Sequence, residues 1–377
     1  MRVQLEEYSP EWPKLFEQEK KQLEQILLNS SILIEHIGST SIEELGAKPV
    51  IDIMIGLPDF SEAGNYIQPI VNMGYTYIPD YEDLMPYRRF FTKEKDGLRT
   101  YHIHLVQTNT EFWNRHLAFR DYLRNSKSTR EAYYNLKKEL ALKDWKDGNE
   151  YAAAKNEFIR ASEKKILTQQ AYMQPAETDR LQLRPLTIDD AKQWIPFFIN
   201  NPSDKFLAFN TNPLPEQATN WISWQLWRYK ENRFGLQALI DKVTGNLVGM
   251  CGLLSQEVLG QPELEIGNHL LPVWWGKGLA TGAAIYFKNY AFNNNLADSV
   301  ISIIHVENTL SQRVAEKNEM SRTVTTTYYN MPVYIYRKIN KKFNPQRNKF
   351  NSGQVNIIRT TSGKREKARE VECVVGK

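Results

Sequence analysis

The chain has little cysteine and no long apolar run, and each shortage excludes a class of protein. Only two cysteines, Cys251 and Cys373, occur in 377 residues, which excludes a disulfide framework and a cysteine-rich zinc site. No stretch approaches the roughly 20 apolar residues of a transmembrane helix, and the first ten residues lack the apolar core of a secretion signal. These absences predict a cytoplasmic protein without a membrane partner.

Net charge is low over most of the chain and is concentrated at one end. Residues 341–377 carry ten Lys or Arg against three Glu, whereas the whole chain carries only +4. The preceding residues are therefore close to neutral. We predict that 341–377 form a basic, disordered tail, and that nucleic acid is not a partner except through that tail.

The length exceeds what one ordinary hydrophobic core supports, so two domains are expected. Residues 1–168 are predicted to be the first domain, 169–177 a linker with a proline, and 178–340 the second domain. In the first domain we predict strands at 32–37, 50–55, 75–78 and 101–106, with helices at 12–28, 63–73 and along 111–166. In the second domain we predict strands at 181–186, 235–241, 247–254, 264–271, 299–305 and 333–337, with helices at 188–199 (capped by Thr187), 217–230, 276–293 and 309–317.

A glycine pair lies where the strand at 264–271 turns into a helix. Gly276 and Gly278 allow the backbone to approach a ligand closely, and the first N–H groups of the helix point outward with the positive end of the helix dipole behind them. This pattern predicts a diphosphate site. The alternative is an ordinary turn, because glycines before helices are common.

The segment Trp-Trp-Gly-Lys-Gly-Leu-Ala-Thr-Gly-Ala, residues 274–283, resembles the acetyl-CoA loop of the GNAT N-acetyltransferases. That loop has the pattern Gln/Arg-x-x-Gly-x-Gly/Ala, and Trp275, Gly278 and Ala280 stand at its first, fourth and sixth positions. The resemblance implies that acetyl-CoA binds along the loop. The residues it assigns to the cofactor are Trp275, Gly276, Lys277, Gly278, Leu279, Ala280 and Thr281.

A second segment, residues 305–320, is similar to the Asn-x-x-Ser motif in the ribosomal-protein acetyltransferase-like branch of the same superfamily. The resemblance assigns Asn308 to the cofactor and implies that the Ser311 hydroxyl reaches the sulfur or the pantetheine. Asn308 is alternatively the N-cap of the helix, and Ser311 an ordinary first-turn serine. The sequence departs from the motif at 318–320, where Asn-Glu-Met replaces x-Gly-Phe.

Acetyl transfer to an amine needs a base, donors for the developing oxyanion and an acid for the thiolate. Strand alternation places Glu265 and His269 on one face with Gly267, so either is a candidate base. Ser311 is a candidate acid. Four tyrosines near the last strands are alternatives: Tyr328, Tyr329, Tyr334 and Tyr336.

Three tryptophans, Trp221, Trp224 and Trp227, recur every three residues on the helix predicted at 217–230. In this superfamily the region forms the edge of the acceptor site, so the stripe could stack on an acceptor. Burial in the core is the favoured alternative.

The first domain carries the segment Glu-His-Ile-Gly-Ser-Thr-Ser at 35–41 and Lys-Pro-Val-Ile-Asp at 48–52. Together with Arg-Thr-Tyr-His-Ile-His-Leu-Val at 99–106 and the segment 113–124, these resemble the GrpB family of the nucleotidyltransferase superfamily. The resemblance implies that Gly38 and Ser39 hold phosphates and that Asp52 is a ligand of Mg²⁺. Met54 stands where a second metal ligand is expected, which puts catalysis in doubt. His102 and His104 are candidates to complete the site.

The fold class expected from both resemblances is α+β or α/β in two domains: a nucleotidyltransferase-like mixed sheet with helices, then a GNAT mixed sheet flanked by helices. The predicted function is acetyl-CoA-dependent acetylation of a primary amine, with the first domain binding a nucleotide-like ligand or assisting acceptor binding. The acceptor classes left open are a protein N-terminus, an aminoglycoside and a small amine. The alternative function is a small-molecule nucleotidyltransferase or nucleotide-binding module with an inactive GNAT-like domain.

Overall fold

The computed structural model describes residues 2–28, 30–199, 201–203, 206 and 213–343. The predicted basic tail lies outside the described residues except for 341–343. Within the described ranges the chain forms two sheets, each with helices packed on it, which confirms the predicted two-domain fold class. No helix in these ranges has the length and apolar character that crossing a bilayer requires.

The N-terminal unit contains five strands and six α-helices among its described residues. The strands are β1 (Leu33–Ile37), β2 (Ile51–Leu57), β3 (Thr76–Tyr77), β4 (Arg88–Lys95) and β5 (Leu98–Gln107). The helices are α1 (Glu11–Leu27), α2 (Ile67–Asn72), α3 (Glu111–Asn125), α4 (Lys127–Ala141), α5 (Gly148–Ala153) and α6 (Asn156–Tyr172).

The N-terminal sheet has the order β1-β2-β5-β4-β3, and within it β2 and β5 are the parallel pair. Alternation along β2 separates its two faces. Ile51, Ile53 and Ile55 pack with α1 in the main core of the unit. Asp52 and Met54 point to the opposite face, where Trp113 of α3 covers Met54. The polar residues of the first motif therefore lie on the second face.

The described part of the C-terminal unit contains eight strands and four α-helices. The strands are β6 (Ala176–Glu177), β7 (Leu181–Pro185), β8 (Phe234–Asp241), β9 (Leu247–Val258), β10 (Gln261–Leu270), β11 (Ser299–His305), β12 (Ser321–Tyr328) and β13 (Met331–Ile339). The helices are α7 (Asp190–Trp194), α8 (Leu214–Lys230), α9 (Leu279–Asn293) and α10 (Thr309–Lys317).

The C-terminal sheet has the order β12-β13-β11-β10-β9-β8-β7-β6, and β10 with β11 is its one parallel pair among the described strands. Helix α9 packs on one face through Ala283 and Phe287. Helices α7 and α8 pack on the other face through Trp194 and Ile222. The parallel pair therefore lies in the middle of the sheet between two helical layers.

The last turn of α6 is built into the C-terminal sheet. The Tyr172 hydroxyl donates to the carbonyl of Gly235 at 2.6 Å and accepts from the N–H of Leu253 at 3.0 Å. Nearby, the Ser126 hydroxyl donates to Glu231 Oε2 at 2.8 Å. Helix α6 therefore belongs to the N-terminal unit at its start and to the core of the C-terminal unit at its end.

Several predicted elements differ from the structure. Strands β4 and β12 were not predicted, because the charged sequence of β4 and the mostly exposed, threonine-rich sequence of β12 lack a clear apolar alternation. The residues predicted as an irregular linker contain the end of α6 and the short strand β6. The helix expected at 188–199 is a short α-helix followed by a 3-10 turn, and the Thr187 hydroxyl donates to Asp190 instead of capping a helix N–H group. The helix expected from residue 276 begins at Leu279.

Candidate functional site

The glycine turn at 276–278 has the geometry of an anion site. Gly276 and Gly278 have φ values of 75° and 74°, and no atom lies within 4 Å of the position that a Cβ on Gly276 would take. The first hydrogen bond within α9 runs from the N–H of Gly282 to the carbonyl of Gly278. The N–H groups of residues 278–281 therefore have no acceptor within the helix. They face outward at the positive end of a 15-residue helix.

A positive side chain that the sequence analysis did not single out lies beside this turn. Arg180, just before β7, donates from Nη1 to the carbonyl of Lys277 at 2.9 Å, and its Nη2 lies 3.4 Å from where a Cβ of Gly278 would stand. The remaining guanidinium N–H groups are exposed with the turn. Nothing in the sequence indicates this contact, because 97 residues separate the partners.

Strands β10 and β11 separate immediately after they meet. Their pairing is limited to Glu265 with Ile301, although both strands continue for several residues. The Ser302 hydroxyl donates to the carbonyl of Ile266 at 2.9 Å, and Trp275 Nε1 donates to the carbonyl of Leu270 at 2.8 Å. The carbonyl groups of Ile266 and Leu270 therefore lie on the edge of β10 that faces away from β9. Because backbone groups alternate along a strand, the N–H and C=O of Asn268 lie on this open edge as well.

The gap between the strands is part of a cavity of about 360 Å³. Residues of β10, the turn at 274–281, the end of β11 and α10 line it, together with Phe197, Ser203 and Phe206 from the segment after α7. The cavity is therefore lined both by the glycine turn and by Glu265, which lies where the two strands part.

Glu265 is buried at the point where the strands separate, with 8% of its surface exposed. Its Oε2 accepts from Gln256 Nε2 at 2.8 Å, and its Oε1 lies 3.5 Å from the N–H of Ile303. Burial raises the pKa of Glu265, and the hydrogen bonds from Gln256 and Ile303 and the charge of Arg228 only partly oppose that rise. The carboxylate of Glu265 is therefore a stronger base than that of an exposed glutamate.

His269 lies on the same face of β10 but in a different environment. Its ring packs edge-on against Trp221 and Phe197, with centroids 4.9 and 5.9 Å away. Burial lowers the pKa of His269 to about 4. The imidazole is therefore neutral at pH 7 and a weak base, although it lines the cavity.

Asn308 caps helix α10, as its Oδ1 accepts from the N–H of Ser311 at 3.1 Å. Both residues also line the cavity. The capping role anticipated for Asn308 is thus present. The structure therefore brings Asn308 and Ser311 to the same cavity as the residues of the glycine turn.

The departure from the second motif has a structural consequence. Glu319, which replaces the glycine of the motif, has a φ of 61°, a conformation that favours glycine. Its carboxylate forms ion pairs with Lys288 at 3.3 Å and Lys338 at 3.0 Å. Lys288 also donates to the carbonyl of Asn318. The turn geometry is thus retained, and two ion pairs accompany the strained residue.

The tryptophan stripe on α8 divides between two environments. Trp221 packs in the core with Trp194 and Phe197, as the favoured alternative predicted. Trp224 is 51% exposed and stacks on Trp227 with ring centroids 4.5 Å apart. The stripe therefore packs in the core at Trp221 and ends in a stacked pair of which Trp224 is exposed and Trp227 is half-buried.

The candidate site of the N-terminal unit is compact and internally paired. Asp52 Oδ1 accepts from His102 Nδ1 at 2.9 Å, while its Oδ2 lies against the position that a Cβ of Gly38 would take. Arg88 Nη1 donates to His104 Nδ1 at 3.3 Å. Burial alone raises the pKa of Asp52, but the His102 hydrogen bond and the neighbouring histidines outweigh it, so the pKa lies below its ordinary value.

One ring nitrogen of His102 and one of His104 are each held by a neighbouring side chain. Burial lowers the pKa of His104 to about 3, and Arg88 occupies its Nδ1. In the ranges that the structure describes, no group of three or more His, Cys, Asp or Glu side chains is arranged to hold a metal ion. Mg²⁺ is commonly held by one or two carboxylates together with substrate phosphates, so the assignment of Asp52 as its ligand stays a prediction.

Two family models match the chain, one over the N-terminal unit and one over the C-terminal unit. Residues 2–165 match the model described as GrpB protein, and residues 180–321 match the model described as Acetyltransferase (GNAT) domain. The UPF0157 protein BH1888 of Halalkalibacterium halodurans is 35% identical over 158 residues, which cover 42% of this chain and 79% of that protein. The Glutamate-rich protein GrpB of Alkalihalophilus pseudofirmus is 31% identical over 40% of this chain and 88% of that protein.

The C-terminal unit also has a relative among known proteins. The Uncharacterized N-acetyltransferase YoaA of Bacillus subtilis is 27% identical over 143 residues, covering 37% of this chain and 79% of that protein. The chain therefore belongs to the GrpB family through its N-terminal unit and carries a GNAT acetyltransferase domain as its C-terminal unit. The predicted combination of families and the predicted enzyme class are confirmed.

Proposed function

We propose that the C-terminal unit transfers the acetyl group of acetyl-CoA to a primary amine. One observation carries the proposal: β10 and β11 part directly beyond Glu265, and the gap opens into a cavity that ends at the glycine turn. A diphosphate at the N–H groups of residues 278–281 then places the pantetheine along the open edge of β10. Arg180 adds positive charge beside the turn.

Acetyl-CoA supplies the acetyl group as a thioester, and the residues of this chain bind it and move the protons. Glu265 accepts a proton from the incoming ammonium group, because it is buried at the gap with a raised pKa. His269 is a weaker candidate, since the pKa of its ring is about 4. The peptide N–H of Asn268, on the open edge of β10, is the donor for charge on the carbonyl oxygen.

The thiolate leaves at the side of α10. Ser311 lines the cavity there, and its hydroxyl is not used for capping, which Asn308 performs. We therefore assign Ser311 as the donor to the departing sulfur and Asn308 as the residue that positions the start of α10. Tyr336 is a poorer acid, because its hydroxyl lies 3.3 Å from Glu316 Oε1.

The amine reaches Glu265 from the face of the sheet that carries α8. Glu265 and His269 point to that face, and α8 also carries the exposed Trp224, which stacks on the half-buried Trp227. Aromatic side chains of this kind stack on planar or apolar parts of an acceptor. The acceptor is an amine of a protein N-terminus, an aminoglycoside or a small polyamine, and assays with one amine of each class separate them.

For the N-terminal unit we propose binding without turnover. Its ligand is nucleotide-like or is the acceptor itself, held near Gly38, Ser39 and Asp52. Support comes from Lys155, whose ammonium group has no acceptor among the described residues and lies over the Tyr151 ring at 4.4 Å. Burial lowers the pKa of Lys155 to about 8, partly opposed by Asp52.

A ligand panel on the full-length chain tests these roles. Acetyl-CoA or CoA should raise the unfolding temperature, since ligand at 100 times its Kd adds about 2.7 kcal/mol of stability. Release of free CoA is then measured with a peptide bearing a free N-terminus, with kanamycin and with spermidine. A shift with ATP or GTP in the absence of Mg²⁺ supports the role given to the N-terminal unit. No shift with CoA and no release with any amine would refute the proposed function.

A further inference from the structure

A side-chain relay connects helix α8 to the buried carboxyl group of Glu265. Arg228 Nη2 donates to Gln256 Oε1 at 3.2 Å, and Gln256 Nε2 donates to Glu265 Oε2 at 2.8 Å. The three residues come from α8, β9 and β10, and sequence spacing gives no sign that they meet. We propose that Arg228 and Gln256 are positioning residues that fix the orientation and ionisation of Glu265. The proposal rests on the function proposed above and deepens it.

The chemistry of the three groups fixes the direction of the relay. A guanidinium only donates, so the amide of Gln256 must turn its oxygen toward Arg228. Its NH₂ group then faces Glu265, which accepts. Without Arg228 the amide oxygen loses this donor, and after turning over it can accept from a protonated Glu265 instead. Arg228 thus favours the orientation in which the NH₂ group of Gln256 faces the ionised carboxylate.

Arg228 is buried at 5% exposure yet has no carboxylate within 4 Å among the described residues. It also donates from Nη1 to the carbonyl of Ser255 at 3.3 Å. A buried charge without a direct counter-ion is costly. The acidic group at the other end of the relay is Glu265. The relay therefore holds the positive charge of Arg228 near Glu265, with only the amide group of Gln256 between them.

Other charged and titratable groups surround Glu265, and they constrain the test. Arg233 follows α8 and also donates to the carbonyl of Ser255, at 3.3 Å, but contacts neither Gln256 nor Glu265. Tyr328 ends β12, and the pKa of its hydroxyl is raised, chiefly by burial and partly by Glu265. On β10 itself, Glu263 is paired with Arg337 of β13, and His269 is neutral. Arg233 is therefore a matched control for Arg228.

The test measures the pKa of Glu265 in the full-length chain. Glutamate is labelled with ¹³C at its side-chain carboxyl, and the signal of Glu265 is assigned by its loss in Glu265→Gln. In Gln256→Leu the carboxylate loses a donor, so its titration midpoint should rise by about one pH unit. Arg228→Met should raise it as well, and the double variant should raise it by less than the sum of the two single effects, because part of the effect of Arg228 passes through Gln256. Arg233→Met should leave it unchanged.

An unchanged midpoint in Gln256→Leu, or effects of Arg228→Met and Gln256→Leu that simply add, would overturn the relay. CoA affinity is measured for every variant as a control for folding. The glycine turn lines another part of the cavity, so a folded variant should still bind CoA. Gln256 is only half-buried, so Gln256→Leu decides the question if Arg228→Met does not fold. A Glu265→Gln variant that retains full acetyl transfer would refute the base and leave the relay standing. Loss of acetyl transfer in Glu265→Gln, together with an unchanged pKa of Glu265 in Gln256→Leu, would support Glu265 as the base and refute the relay.

Discussion

The two motif-bearing sites of this chain differ in how their polar groups are used. At the C-terminal site the N–H groups of residues 278–281 have no acceptor within the helix, Gly276 faces open space, and two strands part to leave a cavity. At the N-terminal site Asp52 is bound by His102 and lies against Gly38, and Arg88 binds His104. A motif is evidence for a ligand when the fold leaves its donors unused, which is true of the first site and only partly of the second.

The largest effect that would test this contrast is expected from Gly278→Glu. The substitution puts a side chain at φ 74° and a negative charge where the diphosphate is proposed to bind. CoA affinity should fall by more than about 100-fold, from electrostatic repulsion together with a strained residue that costs about 1–3 kcal/mol. Calorimetric titration of the full-length chain with CoA measures it.

Gly282→Ala is the matched control for that variant. Gly282 lies inside α9, and nothing stands within 4 Å of the position that a Cβ there would take. The change should leave CoA affinity intact and stabilise the helix by about 0.5–1 kcal/mol. Equal loss of affinity in both variants would mean that the turn has no special role.

Glu265→Gln is expected to have the next largest effect. Removing a general base lowers kcat/KM by about 10²- to 10⁴-fold, while the affinity for CoA stays the same, because the carboxyl group faces the acceptor side. Steady-state kinetics with the amine found in the panel give the comparison. Glu257→Gln, at an exposed position of β9, should behave like the unmodified chain.

Arg180→Met tests the charge beside the turn and should have a smaller effect. The guanidinium is exposed, so its contact with a phosphate is partly screened and contributes about 1 kcal/mol. A loss of CoA affinity of about 3- to 10-fold is expected, and it should shrink at high salt. An affinity that is independent of both the variant and the salt concentration would place the phosphates elsewhere.

Asp52→Asn tests the second site and should leave acetyl transfer unchanged. The pKa of Asp52 is lowered in the folded state, so the carboxylate stabilises the fold above the unfolded value of about 3.9 and this contribution is lost as pH falls through the folded pKa. The variant should be less stable by about 1–2 kcal/mol at pH 7, and the difference should shrink as the pH falls below the unfolded value. Urea unfolding at pH 7 and at a series of acidic pH values measures the difference. Loss of acetyl transfer in this variant would contradict a nucleotide-like ligand at this site and would favour the acceptor itself as the ligand of the N-terminal unit.

The sequence predicts the local features of the site better than its tertiary contacts. The glycine turn, the Asn308 cap and the face shared by Glu265 and His269 depend on neighbouring residues and on strand alternation, and the structure contains all three geometries. Arg180, Gln256 and Arg228 could not be predicted, because each reaches its partner only when distant elements pack together.

The same distinction explains the misplaced elements. Strand β12 has exposed side chains along most of its length and is held by backbone pairing to β13, so its sequence lacks the apolar period of a half-buried strand. The end of α6 was assigned to a linker because its few apolar residues near Pro175 show no clear period. The burial of Tyr172 at this end of α6 depends on its hydrogen bonds to the C-terminal sheet, which the local sequence does not reveal.

The central claim is that the backbone at the start of α9 and the open edge of β10 bind CoA. A crystal structure of the full-length chain with CoA tests it most directly. We expect the diphosphate within hydrogen-bonding distance of the N–H groups of residues 278–281, with the pantetheine between β10 and β11 and its sulfur near Ser311. CoA bound elsewhere, or a turn whose N–H groups face solvent in crystals grown at saturating CoA, would contradict the account.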